Sequence, residues 1–400
     1  MFQNHCCSAR TFSAYQPYQG SFCASCILNA RVGAGEKMLM KNKWIMPFIL
    51  FSFGGAAWAS DDAAITTEMV YIGESVSNIS GGLKKDSSYL STADLTVTVD
   101  TAQAGWWQGG KWFVEFLSNQ GVDPSSFIGD VQTASNIADG NRTRLQQFYY
   151  QQMLGDHVSL LLGLDDLNAE FYVSEYASWF LNSSFGIGPE MSGNVATSLW
   201  PEAGWAARLN VYDANHYFRV AAYDGDPATR AVDVAKEGLM LIAETGLSQD
   251  LSAYKLGAWT DTAEKLAPDG RRYKSNYGVY AVVDQAINDG VAVFMQLGFT
   301  PSDRNEISNY LGAGLHLHGV FPSREDDVFG IAVARAGFSG SNKRINNLAS
   351  AETAVEIAYY TPVTKYISIH PAFQWIQHPS GDKRLSAAKV MMLRMEIHLP

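Results

Sequence analysis

Near its C-terminal end the chain alternates. Met391, Leu393, Met395, Ile397 and Leu399 fall on one side of an extended segment, and Arg394, Glu396 and His398 on the other. Val291, Val293, Met295, Leu297 and Phe299 likewise share a face opposite Ala292, Gln296 and Gly298, and residues 354–359 repeat the pattern. A period of two over about nine residues marks a strand with one apolar and one polar face, and that length suits a strand tilted across a bilayer. Sixteen such segments are found, near residues 66–80, 89–100, 111–119, 142–154, 157–165, 203–212, 216–224, 238–246, 250–260, 275–286, 290–299, 307–318, 327–337, 350–360, 365–376 and 388–399. An even number allows antiparallel closure. Compact connections such as Gly155-Asp156, Asp213-Ala214-Asn215, Asn288-Asp289-Gly290 and Thr361-Pro362-Val363-Thr364 alternate with longer ones. The pattern predicts an all-β fold: a transmembrane antiparallel β-barrel of about 16 strands, with short periplasmic turns and long extracellular loops. A β-sandwich has no reason to keep that alternation, and a propeller would carry a repeat of roughly 40–50 residues that is not found.

The longest connection, about Asp166 to Trp200, holds Tyr172, Tyr176, Trp179, Phe180, Phe185 and Pro189. A loop this apolar must bury itself, and the interior of the ring is the nearest place. There it would either narrow the opening or simply pack.

Composition agrees with an apolar surrounding. Charged residues are 17% of the chain and aromatics 12%, with 35 glycines, whereas soluble domains carry about 25% charged residues. Mean hydropathy is nonetheless close to zero, which excludes a helical membrane bundle and fits strands whose two faces cancel. A net charge of -11 excludes nucleic acid as a partner.

The N-terminal stretch reads differently. Met40-Lys41-Asn42-Lys43, the apolar run from Trp44 to Phe53, and Ala57-Trp58-Ala59 have the order of a signal peptide. The run is shorter than the roughly 20 residues a spanning helix needs. The expected organisation is residues 1–39 as a mis-assigned start or extension, 40–59 as a signal peptide, and 60–400 as one barrel domain. All four cysteines, Cys6, Cys7, Cys23 and Cys26, fall before the signal. Cys23 and Cys26 have CxxC spacing but no second pair to complete a metal site.

Several segments in order resemble the carbohydrate-selective, OprB-type porins. They are Phe180-Leu181-Asn182-Ser183-Ser184-Phe185-Gly186, Ala221-Ala222-Tyr223-Asp224-Gly225-Asp226-Pro227, Gly278-Val279-Tyr280, residues 298–305 (GFTPSDRN), 351–356 (AETAVE) and 371–379 (PAFQWIQHP). The resemblance covers about Ile137 to Leu399. It implies a sixteen-stranded barrel in the outer membrane of a Gram-negative-type cell, passing glucose and related small carbohydrates by facilitated diffusion, with outer-membrane lipid around it. Monomer and homotrimer both remain open. Outer-membrane barrels commonly end on an aromatic residue, whereas this chain reads Ile397-His398-Leu399-Pro400.

Strand phase then nominates lumen groups. Arg142, Arg144, Gln146 and Tyr150 share the more polar face of their segment; Arg208, Arg219 and Glu115 stand between apolar neighbours and turn inward. With Trp179 of the aromatic loop they would form a patch where guanidinium groups donate to sugar hydroxyls, a carboxylate accepts, and a ring meets the sugar's C–H face. The bland alternative is that these charges merely wet the lumen. Glu352, Glu356, Arg394 and Glu396 are also inward by phase, but are expected on the far side from the loop. His316 and His318 share a strand face without a third ligand, so no metal is expected, and no cofactor. Neither G-x-S-x-G nor H-E-x-x-H occurs, which argues against a barrel enzyme; a non-selective or plugged structural or adhesive barrel is the remaining rival. The mature protein should begin at or near Ser60, and N-terminal sequencing that found Phe2 or any cysteine retained would overturn the signal reading.

Overall fold

The computed structural model describes residues 63–249 and 251–399, so the signal segment, the cysteines and Ser60 lie outside the described residues. The strands are β1 (Ile65–Ser80), β2 (Asp86–Asp100), β3 (Gly110–Gln120), β4 (Arg142–Met153), β5 (Val158–Asp165), β6 (Gly204–Tyr212), β7 (His216–Asp224), β8 (Leu239–Gln249), β9 (Ser252–Asp261), β10 (Lys265–Leu266), β11 (Arg272–Tyr273), β12 (Asn276–Asn288), β13 (Val291–Phe299), β14 (Ile307–His318), β15 (Val328–Phe338), β16 (Ala351–Pro362), β17 (Ile367–Gln377) and β18 (Ala388–Leu399). Sixteen of them close into one antiparallel ring in the order β1-β18-β17-β16-β15-β14-β13-β12-β9-β8-β7-β6-β5-β4-β3-β2, and β10 with β11 form a separate small sheet. The ring seals where β18 meets β1, with Met69 opposite Leu399 and Ser77 opposite Met391. All sixteen expected segments are barrel strands. The β10–β11 pair escaped the sequence reading because two residues are too few to show a period.

Phase sorts the faces. Leu95, Phe116, Leu162, Leu209, Leu241, Leu256, Met295, Ile331, Ile357, Leu393 and Met395 point outward and are exposed, giving the apolar band that lipid requires. Glu74, Asp94, Glu115, Arg208, Glu244, Asp284, Gln296, Glu356 and Arg394 point inward and are buried. Both ends of the ring's chain, with the turns at 213–215, 289–290 and 363–366, lie at one rim; the connections 121–141, 166–203, 225–238 and 339–350 leave from the other.

Two of these long connections fold back into the barrel. The aromatic segment buries Trp179, Phe180 and Phe185 against inward residues of β13 to β18, including Phe294, Ala332, Ala334, Ala354, Ala358 and Ala372. Apart from Phe294, those wall positions are alanines, which leave the rings room. A Cβ on Gly330 would stand 2.6 Å from the Trp179 ring and 2.8 Å from that of Phe180. Farther along, Leu167, Phe171, Tyr172 and Met191 pack on Tyr223, Met240, Ile242, Trp259 and Tyr280.

An inserted loop carries backbone N–H groups away from water, and each needs an acceptor. Wall carboxylates supply them. Glu356 accepts from Leu181 N at 2.8 Å and Asn182 N at 3.0 Å, Glu244 from Tyr172 N at 2.9 Å, and Asp284 from Glu175 N at 2.9 Å. Glu352 does the same for the 121–141 connection, accepting from Val131 N at 2.9 Å and Gln132 N at 3.0 Å. The expected position of Glu356 on the far side from the aromatic loop is therefore corrected, because the loop crosses the barrel and reaches that wall. Glu352 holds the other inserted connection.

Replacing Glu356 by Ala strands two buried amides, at a cost of about 3 kcal/mol if each loses a charge-assisted bond of roughly 1.5 kcal/mol. Amide exchange at Leu181 and Asn182 should speed up on the order of 100-fold while the strands keep their protection. Unchanged exchange at both would show that the carboxylate does not hold the loop.

Candidate functional site

The predicted arginines occupy two levels of one wall. Near the loop rim, Arg142 and Arg144 project inward from the start of β4, opposite Asn119 and Leu117 of β3. Arg142 pairs with Glu202 and with Asp139 at 3.2 Å, and Arg144 pairs with Asp139 and donates to the Pro201 carbonyl at 2.7 Å. They line an open cleft of about 390 Å³ with Glu202, Pro227, Ala228 and Arg230, within the roughly 300–1,000 Å³ common for small-molecule sites. Arg230 and Glu202 lie in connecting segments, where no strand phase could nominate them.

The second level lies deeper. Arg208 of β6 donates to Ser159 Oγ at 2.7 Å and Gln151 Oε1 at 3.1 Å, and pairs with Glu170 at 2.5 Å. Arg219 of β7 donates to the Glu170 carbonyl at 2.5 Å, stands 3.7 Å from its Oε2, and lies over the Tyr217 ring at 4.2 Å. Glu170 thus joins both guanidinium groups at the entry to the inserted loop. Sequence reading missed it because a lone acid in a long connection has no periodic neighbours to orient it. Arg208 Nε and Glu170 Oε2 have no hydrogen-bond partner, so the cluster keeps hydrogen-bonding capacity uncommitted.

The other nominated residues divide. Glu115 is inward and buried, its Oε2 accepting from Gln147 Nε2 at 2.5 Å. Tyr150 is not in the lumen. The β3–β4 register slips between Glu115 and Phe116, with Gln147 opposite the first and Leu145 opposite the second, so Gln146 is an extra residue that reverses the phase of everything after it. Tyr149 takes the inward place beside Phe113 and Leu161, while Tyr150 packs on Trp112 and receives the Trp107 indole N–H at 2.5 Å. Its polar neighbourhood belongs to the aromatic belt that barrels place at a bilayer interface.

Trp179 is inside the barrel but not with the arginines. Its ring lies 4.8 Å from that of His316 and 4.5 Å from that of His370, is edged by Phe180, and is 3% exposed. A covered ring offers no face to a sugar. On the arginine side the stacked Phe113–Tyr149 pair, with centroids 4.9 Å apart, is buried as well, at 6% and 8% exposed. Glu190, in a short helical turn of the inserted loop (Pro189–Ser192), accepts from Tyr172 OH at 2.9 Å, and burial pushes its carboxyl up to about 7. Among the described residues no three His, Cys, Asp or Glu side chains gather as metal ligands.

Comparison with known proteins agrees with this geometry. The sequence pattern described as carbohydrate-selective porin, OprB family, matches residues 84–399. Porin B of Pseudomonas aeruginosa is 22% identical, with 92% of this chain and 94% of that protein covered. Among solved structures, Pseudomonas putida OprB at high pH has a TM-score of 0.76 at 19% identity, covering 84% of this chain and 94% of its own. The outer-membrane channel DcaP of Acinetobacter baumannii has a TM-score of 0.56 at 11% identity, covering 86% of this chain and 100% of its own. A closed sixteen-stranded barrel with this family pattern is an outer-membrane channel of a Gram-negative cell that passes carbohydrates, and it is not an enzyme. The chain belongs to the carbohydrate-selective porin, OprB family.

Proposed function

We propose that the carbohydrate is a small one of glucose size and that it passes along the wall built by β3 to β8. It would enter by the cleft of Arg142, Arg144 and Arg230 and be read where Glu170 joins Arg208 and Arg219. That junction carries the reading: two guanidinium groups fixed about one carboxylate present donors and an acceptor together, which matches the alternating roles of neighbouring hydroxyls. Glu115 and Gln147 continue the polar lining of that wall. Passage needs binding that is weak, because a solute must leave as readily as it enters.

The same reading includes a homotrimer. The outer face of β1 and β2 carries Gly73, Ser75, Ser77, Ser87 and Ser91, with Ser87 Oγ bonded to Ser77 Oγ at 2.9 Å and the Tyr71 and Tyr89 hydroxyls 3.0 Å apart. Polar groups fit poorly against lipid tails and better against protein. The mature chain, on this reading, starts at Ser60.

Glucose should reduce ion current saturably, with a dissociation constant on the order of 1 mM, about -4 kcal/mol. Arg219→Ala should weaken that block several-fold, leave small-ion conductance equal or higher, and lower anion preference as the positive field falls. Wild-type block and selectivity in this variant would remove the junction from the sugar path. On a detergent gel the unheated protein should run as a trimer that heating converts to monomer, and an unheated band of monomer mass would exclude the trimer.

A further inference from the structure

The inner face of β2 and β3 holds a second polar cluster, away from the arginine junction. Thr92 stands opposite Asn119 across the two strands, Asp94 follows Thr92 on the same face, and Glu115 stands opposite Gln147 on β4. Asp94 stands opposite Leu117 and Glu115 opposite Thr96, so the two carboxyls are diagonal neighbours on the inner face, and each residue is 2% exposed. Among the described residues no Lys, Arg or His forms an ion pair with either. No donor reaches Asp94 Oδ1 or Oδ2.

The neighbours are as unusual as the pair. Thr92 Oγ1, both amide atoms of Asn119 and both amide atoms of Gln146 are buried without a hydrogen-bond partner. Gln146 is the bulge residue at the slip between Glu115 and Phe116, and it is buried beside Gln147, which faces Glu115. Buried polar groups in native proteins are almost always satisfied, and a local group of exceptions points to something bound there. Two neighbouring carboxylates buried away from water need a shared proton or a cation. A shared proton satisfies one oxygen of each carboxyl and leaves the hydroxyl and both amides unmet. A hard cation uses the hydroxyl and both amide oxygens as well.

We propose that Asp94 and Glu115, with Thr92 Oγ1 and the side-chain carbonyls of Gln146 and Asn119, bind a divalent cation of the Ca²⁺ type. Two carboxylates with several neutral oxygens is a donor set that Ca²⁺ accepts with flexible geometry, whereas Mg²⁺ requires near-octahedral placement and holds its waters. The site has a mechanical connection to the channel. Gln147 Nε2 donates to Glu115 Oε2 at 2.5 Å while Gln147 Oε1 accepts from Asp166 N at 3.1 Å, at the first residue of the inserted loop. A cation that fixes Glu115 also fixes the root of that loop.

The test uses the full chain folded in detergent, stripped with EDTA and dialysed against CaCl₂ or MgCl₂ without sugar, with bound metal measured directly. One Ca²⁺ per barrel is expected, with a dissociation constant in the range of about 10⁻⁴–10⁻³ M, weaker binding of Mg²⁺, and a higher melting temperature with Ca²⁺. Asp94→Asn should reduce Ca²⁺ affinity at least tenfold. Thr92→Val keeps both charges and removes one ligand, so it should weaken binding by a smaller factor and serves if Asp94→Asn does not fold. Glu190→Gln, which alters a buried carboxyl elsewhere, should bind as the wild type does. No saturable Ca²⁺ uptake up to about 10 mM, roughly tenfold above that range, or undiminished uptake in both Asp94→Asn and Thr92→Val, overturns the proposal. Because no sugar is present, either result leaves the reading of the arginine junction unaffected.

Discussion

Inside a bilayer no water is available to the peptide groups, so each strand must find its hydrogen bonds on both sides from other strands. For this chain the condition is met by closure of β18 on β1, which removes the last two free edges. The rest follows from it. A closed ring of alternating strands has one face for lipid and one for the interior, and the same alternation that sends Met391, Leu393 and Met395 outward sends Val390, Met392 and Arg394 in. The barrel needs no large apolar core of its own, which is why a chain with near-zero mean hydropathy can be a membrane protein.

The interior then has to be shaped by what is placed in it. Two connections are inserted, and their burial obeys two local rules. Aromatic rings go where the wall is small, as Trp179 and Phe180 do over Gly330. Backbone N–H groups go where the wall is acidic, as those of Leu181 and Asn182 do at Glu356. Much of the barrel's acidic lining is therefore structural. Arg394, bonded to Glu74 at 2.7 Å and to Asn136 at 2.6 Å, plays the corresponding part for the 121–141 connection at the seam between β18 and β1.

On the proposed path the solute meets the wall where arginines and acids face each other, with Arg219 over the Tyr217 ring. Arg142 and Arg144 near the rim and Arg208 and Arg219 farther in share Asp139, Glu202 and Glu170 as counter-charges. Held in this way the guanidinium groups cannot collapse onto one another, and they keep a positive field in a chain whose net charge is -11. A fixed array of donors suits hydroxyl-rich solutes better than mobile lysines would, since little ordering is needed when the solute arrives.

The sequence by itself determined the number of barrel strands, their approximate limits, the barrel and the side that the regular strands turn to lipid, because a period of two is a local property that holds until a bulge interrupts it. It also brought Arg142, Arg144, Arg208, Arg219 and Glu115 to the inner face. Only the tertiary structure decided what each inward group meets. The extra residue at Gln146 reversed the phase of β4 and moved Tyr150 to the outside, an event that leaves no mark in the pattern of residues before it. The aromatic loop could be seen to require burial, yet its sequence did not say that Trp179 would settle between His316 and His370, or that Glu170 rather than Trp179 would meet the arginines. Those contacts join residues far apart in the chain, and they depend on how the ring closes and where the loop crosses it, which no local periodicity encodes.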